Sequence, residues 1–133
     1  MAGSDTTSRV TTRKVLIVDD EPNIVLSLEF LMRKSGFETS VARDGDAALA
    51  EVELFRPDLL LLDAMMPHRD GFEVCQQLRA SGWTDLKIVM LTAKGRDTEI
   101  AKGLAVGADA YVTKPFSTRH LVDQVTALLA GGG

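Results

Sequence analysis

The chain has 133 residues, 45% of them apolar and 26% charged, with a formal net charge of −4. That is the length and apolar content of one ordinary domain, and nothing in the charge balance marks a surface for polyphosphate, so nucleic acid is not an expected direct partner. Cys75 is the only cysteine, which excludes an intrachain disulfide and suits a reducing compartment, and no apolar run approaches the roughly 20 residues of a membrane span or forms a signal-peptide core. A cytoplasmic protein without a membrane segment is expected.

Residues 1–12 are rich in Ser and Thr and almost free of large apolar side chains, so a flexible arm is expected there. A domain over 13–130 follows, and Gly131 to Gly133 read as a flexible tail, either a frayed end or the stub of a linker to a further domain. Short β-rich runs punctuate the domain at Val15–Val18, Glu38–Ala42, Leu59–Leu62, Ile88–Leu91 and Ala110–Val112. Four of the five are nearly all apolar, as strands covered on both faces should be. Between them lie segments of helical period. Ile24, Val25, Leu28, Leu31 and Met32 form one stripe, and Leu121, Val122, Val125, Leu128 and Leu129 form another near the end. Ala47, Ala48, Val52 and Phe55 mark a second helix, Phe72, Val74, Cys75 and Leu78 a third, and Ile100, Ala101 and Leu104 a fourth. Gly36 suits the C-terminal cap of the first helix and Ser117 the N-cap of the last. Five βα units in sequence predict an α/β fold, one doubly wound parallel sheet with helices on both faces. Such sheets bind ligands at the carboxyl ends of their strands.

Polar groups gather at those ends. The first strand runs into Asp19, Asp20 and Glu21, the third into Asp63, the fourth into Thr92, and the fifth into Thr113, Lys114 and Pro115. Each alone is best read as a cap, a turn residue or a solvated side chain. Their convergence on one rim of one sheet has no such explanation. Three neighbouring carboxylates repel one another unless a cation is present, and Mg2+ suits a site of one or two carboxylates plus phosphate. His68 and His120 have no cysteine pair that would make a zinc site. Three Asp, Mg2+ and Lys114 sum to zero charge, so the site has room for a phosphoryl group that the metal and Lys114 neutralise and the Thr92 hydroxyl binds. Asp63 on the central strand is then the natural nucleophile, giving an aspartyl phosphate.

These blocks resemble the receiver domains of bacterial two-component response regulators, including the stand-alone chemotaxis type. The resemblance runs from about Lys14 to Leu129. It is carried by Val-Leu-Ile-Val-Asp19-Asp20-Glu-Pro, Leu-Leu-Leu-Leu-Asp63-Ala-Met-Met-Pro67, Asp70-Gly71, Val-Met-Leu-Thr92-Ala93 and Gly107-Ala-Asp-Ala-Tyr111-Val-Thr-Lys114-Pro115-Phe116. It implies a flavodoxin-like sheet of order 2-1-3-4-5 with five helices. It also implies phosphorylation of Asp63 by a sensor histidine kinase or a histidine phosphotransfer protein. Asp20, Asp63 and the backbone carbonyl of Met65 are implied on Mg2+, with Asp19 acting nearby through water. Lys114 is implied on the phosphoryl group beside a cis bond to Pro115. Thr92 and Tyr111 are the implied switch residues, remodelling the face of the fourth helix, fifth strand and fifth helix for a downstream protein or an output domain. Such a protein is a signalling switch that assists its own phosphorylation and dephosphorylation, not an enzyme acting on an outside substrate.

Two positions depart from the family pattern. His68 and Arg69 stand where the family commonly has an apolar residue before Asp-Gly, and His68 reads more readily as a solvated side chain than as a phosphocarrier. Ala110 replaces an acid usual in the winged-helix, DNA-binding subfamily, and the last helix has only Arg119 as a Lys or Arg, so that subfamily's charged dimer interface is not expected. The unphosphorylated chain is expected to be a monomer. A phosphatase of the haloacid-dehalogenase type needs a second Asp where Met65 stands, and a flavin or nucleotide module needs a Gly- or hydroxyl-rich loop where Asp-Asp-Glu-Pro stands.

Overall fold

A computed structural model describes residues 12–93 and 97–131. Five strands alternate with five helices among them: β1 (Lys14–Val18), α1 (Pro22–Lys34), β2 (Glu38–Ala42), α2 (Gly45–Phe55), β3 (Leu59–Asp63), α3 (Gly71–Ala80), β4 (Lys87–Ala93), α4 (Asp97–Ala105), β5 (Ala110–Lys114) and α5 (Thr118–Gly131). The strands pair in parallel in the order β2-β1-β3-β4-β5. The expected flexible arm lies outside the described residues except for Thr12. Helix α5 continues into Gly131, the first of the three terminal glycines, and Gly132 and Gly133 lie outside the described residues.

Side chains of successive strand residues leave opposite faces, and this alternation divides the core in two. Leu16, Val18, Leu60, Leu62, Ile88 and Met90 pack with Val52 of α2 and with Phe72, Val74, Cys75 and Leu78 of α3. Val15, Ile17, Leu59, Leu61, Val89 and Leu91 pack with Leu28 and Met32 of α1 and with Leu121, Val125 and Leu129 of α5. All five residues of β3 are buried, which is why its sequence is unbroken Leu up to Asp63. Full burial of each such Leu contributes about 1.5–3 kcal/mol. The outer strand β2 is only half covered and correspondingly mixes Glu, Thr and Ser with Val and Ala.

Local chemistry sets the helix ends. Pro22 opens α1, where its missing N–H costs nothing, and Gly36 follows the helix at φ +95°, a conformation that disfavours a side chain. Asp44 caps α2 by accepting from Ala47 N at 2.7 Å. Asp70 and Glu73 form a reciprocal capping box at the start of α3. Ser117 Oγ accepts from His120 N as the cap of α5. In the last turn of α3, Arg79 donates to the carbonyls of Trp83, Leu86 and Gly107 and pairs with Asp109 at 2.9 Å, fixing the turn that leads into β5.

The fourth helix lies where Ile100, Ala101 and Leu104 marked it, but its packing face is not the one those residues share. Ala101 and Leu104 are exposed, and the buried positions are Glu99 and Gly103. A Cβ on Gly103 would lie 3.5 Å from Met90 Cγ and 3.6 Å from Phe72 Cε1, so the glycine lets α4 sit close to β4 and α3 and turns Leu104 outward. Ala47 of α2 is likewise exposed, while Ala48 and Val52 carry the packing.

Candidate functional site

Strands β1 and β3 are neighbours although β2 comes between them in sequence, so the chain's first and third strand ends meet at the switch point of the sheet. Asp19 and Asp20 follow β1 there, and Asp63 ends β3 beside Leu91 of β4. Strand β4 extends two residues past the expected Leu91 and β5 two past Val112. Thr92 is therefore paired with Thr113 and Ala93 with Lys114 inside the ladder. Four strands deliver Asp19, Asp20, Asp63, Thr92 and Lys114 to one rim, around a cavity of about 340 Å3 lined by Asp20, Glu21, Asp63, Met65, Leu91, Ala93 and Lys114.

Asp19 is fully buried and Asp63 is 6% exposed, an unusual environment for carboxylates. One oxygen from each of Asp19, Asp20 and Asp63 lies within 4.8 Å of the others. Lys114 Nζ stands 2.9 Å from Asp19 Oδ2 and 3.4 Å from Asp63 Oδ1. It also lies 3.4 Å from Glu21 Oε1, a contact no sequence motif announced. Three acids thus surround one ammonium. Asp19 Oδ1 accepts from Glu21 N at 2.9 Å and Asp63 Oδ1 from Met65 N at 3.2 Å, which fixes both carboxylates against their own backbones. Lys114 precedes Pro115 across a cis peptide bond.

Burial pushes the Asp63 carboxyl up to about 6, assisted by the charge of Asp19 and opposed by Lys114 and the Met65 N–H. Burial alone would lower the Lys114 pKa, but the Asp19, Asp63 and Glu21 carboxylates outweigh it and hold the ammonium charged above its ordinary range. Thr92 is 1% exposed, and its Oγ1 has no hydrogen-bond partner among the described residues. A buried hydroxyl without a partner is costly, and this one stands at the carboxyl end of β4, paired with Thr113 in the ladder. The donor set fits a hard divalent cation: all oxygen, three carboxylates, and an acid excess that Lys114 does not balance. Ala93 is small and exposed beside the cavity, and Met65 is 57% exposed at its mouth.

Other expected residues fall outside this cluster. Tyr111 is 40% exposed on β5, one residue after the half-buried Ala110, and does not line the cavity. Arg119 lies exposed in the first turn of α5. Cys75 is buried in the core and its thiol is raised by that burial, which suits an inert structural cysteine. His68 is exposed and holds a left-handed φ of +69°. Gly71 is required by close approach, because a Cβ there would collide with the Asp63 carbonyl oxygen and stand 3.0 Å from Ala64 Cα.

The family model for the response regulator receiver domain matches residues 15–126. The chain belongs to this family. Its receiver domain is 50% identical over 121 residues to the sensory transduction protein RegX3 of Mycobacterium tuberculosis, covering 90% of this chain and 52% of that protein. It is 45% identical over 117 residues to the alkaline phosphatase synthesis transcriptional regulatory protein PhoP of Bacillus subtilis, covering 88% and 48% respectively. The chain thus spans about half the length of these curated relatives. Among solved structures it resembles the receiver domain of the Francisella response regulator 1452, with a TM-score of 0.86 and 31% identity over 92% of this chain and all of that one. Receiver domains of two-component systems are signalling modules, and no helix among the described residues is long and apolar enough to cross a membrane.

Proposed function

We propose that this receiver domain accepts a phosphoryl group on Asp63 from the phosphohistidine of a sensor histidine kinase or a histidine phosphotransfer protein, in the presence of Mg2+. The observation that carries this reading is the position of Asp63. It is a buried carboxylate at the end of the central strand, with Asp19 and Asp20 within 4.8 Å and the Lys114 ammonium at 3.4 Å.

Asp20, Asp63 and the Met65 carbonyl would hold the Mg2+, with Asp19 behind them. When bound, the cation neutralises the carboxylate cluster and the charge on the incoming phosphoryl oxygens. In the transfer, an Asp63 oxygen bonds to phosphorus as the bond from phosphorus to the donor imidazole nitrogen breaks, and that nitrogen keeps the electron pair. Asp63 is fixed by the Met65 N–H and oriented by Lys114, which lowers the entropic cost of reaching an attacking geometry. Lys114 stays charged and meets the phosphoryl oxygens, and Thr92 Oγ1 gains the partner it lacks.

That new bond pulls on β4, and Tyr111 on the paired strand β5 lies beside Met90 in the register. The output surface is accordingly the α4, β5 and α5 face, acting on a downstream protein or an output domain. The test is labelling with a small phosphodonor such as acetyl phosphate. The wild type should gain one phosphoryl group with Mg2+ and none with EDTA, and Asp63→Asn should gain none in either. Equal labelling of Asp63→Asn would overturn the assignment.

A further inference from the structure

The loop between β3 and α3 contains a turn that its sequence alone does not stabilise. Arg69 N donates to the Pro67 carbonyl at 2.8 Å across His68, whose φ is +69°. A bond from residue i+2 back to i across a positive φ is the strained form of the γ-turn, and a non-glycine residue occupies it only where the surroundings impose it. The surroundings here centre on Arg69. Its Nε donates to Asp46 Oδ1 of α2 at 2.9 Å and its Nη1 to Gln77 Oε1 of α3 at 3.1 Å. The fit is close at the backbone too, since a Cβ on Gly45 would stand 2.9 Å from both Arg69 Cβ and the Arg69 carbonyl oxygen. One guanidinium therefore ties the loop to the first turn of α2 and to α3 together.

We propose that Arg69 is a positioning residue for the phosphorylation site, holding the β3–α3 loop that carries Met65 in its metal-binding arrangement. This rests on the reading of Asp63 as acceptor and the Met65 carbonyl as a Mg2+ ligand. The loop runs from Asp63 at one end to Gly71, packed on the Asp63 carbonyl, at the other. Met65 sits between them, so a loop released at Arg69 must be reordered each time the cation binds, and affinity falls by that ordering cost. Arg69 itself lines neither the cavity nor the carboxylate cluster. At saturating Mg2+ the loop is ordered again and the Met65 N–H holds Asp63 as before, so the effect falls on cation affinity.

The experiment measures half-saturating Mg2+ for the full chain, Arg69→Ala, Asp46→Ala and the double variant, directly by calorimetry and again from labelling by acetyl phosphate. An exposed ion pair of this kind sets the scale, so Arg69→Ala should raise the half-saturating Mg2+ about two- to fivefold while the maximal rate at saturating Mg2+ is kept. Asp46→Ala should shift it in the same direction by less, because the Gln77 contact survives, and the double variant should go no further than Arg69→Ala. Arg69→Lys should recover part of the loss. Unchanged half-saturation in Arg69→Ala, with or without a lowered melting temperature, would overturn the proposal, as would effects of Asp46→Ala and Arg69→Ala that simply add. Asp46 is exposed, so its variant reports even if Arg69→Ala fails to fold. A wild type that takes no label at any Mg2+ concentration would instead overturn the functional reading beneath it.

Discussion

Replacing Asp63 by Asn should stabilise the metal-free protein, and the effect should depend on pH. Asp63 is 6% exposed, and burial with the Asp19 charge raises its pKa from 3.8 to about 6. A carboxyl whose folded pKa lies above its unfolded value binds more protons in the native state, so stability falls as pH rises from about 4 to about 6 and the full cost is present above that window. Two pKa units at about 1.4 kcal/mol each correspond to a penalty of about 3 kcal/mol. The amide keeps the shape of the side chain and its acceptor for the Met65 N–H, but it loses the attraction of Lys114. A net gain of about 1–3 kcal/mol at pH 7.5 is therefore expected. Denaturant unfolding in EDTA, followed by circular dichroism, measures it at pH 7.5 and again near pH 4, where the two proteins should converge. The reasoning fails if Asp63→Asn is no more stable at pH 7.5, or if its advantage is the same at both pH values.

Added Mg2+ should reverse the order, raising the wild type's melting temperature in proportion to the logarithm of its concentration and leaving Asp63→Asn nearly unmoved in a thermal scan. Asp20→Asn should lose measurable Mg2+ binding by calorimetry, because a carboxylate ligand becomes a neutral amide; unchanged affinity would remove Asp20 from the ligand set. Thr92→Ala should still take the phosphoryl label but bind its partner poorly: a hydrogen bond to a charged group contributes about 1.5–3 kcal/mol, or one to two powers of ten in the switch equilibrium. Wild-type partner binding by the labelled variant would end the switch role of Thr92. Gly71→Ala should cost about 1–3 kcal/mol in unfolding free energy and slow labelling, because its Cβ displaces the Asp63 carbonyl.

The sheet was readable because burial on both faces leaves so little choice: Leu-Leu-Leu-Leu before Asp63 and Val-Leu-Ile-Val before Asp19 can hardly be surface segments. The carboxylate cluster followed from topology, since parallel strands present their carboxyl ends on one rim. Helix α4 was found where Ile100, Ala101 and Leu104 marked it, but its packed face was not legible, because that face is built on Gly103, which has no side chain for periodicity to count. The Glu21 contact to Lys114 spans 93 positions and depends on the path of the chain after β1, so neither residue's neighbours in sequence reveal it. Arg69 looked like a departure from the family pattern. Its anchoring role needed the positions of Asp46 and Gln77, 23 residues before it and 8 after it.

The central claim is that Asp63 is the residue that carries the phosphoryl group. Borohydride reduces an acyl phosphate on aspartate to the alcohol of homoserine with release of phosphate, leaving a stable mark where the group was. Treating the protein with acetyl phosphate and Mg2+, reducing it and mapping its peptides by mass spectrometry should place homoserine at position 63, and nowhere when EDTA replaces the metal. Homoserine at Asp19, Asp20 or another acid, with Asp63 unmodified, would contradict the account.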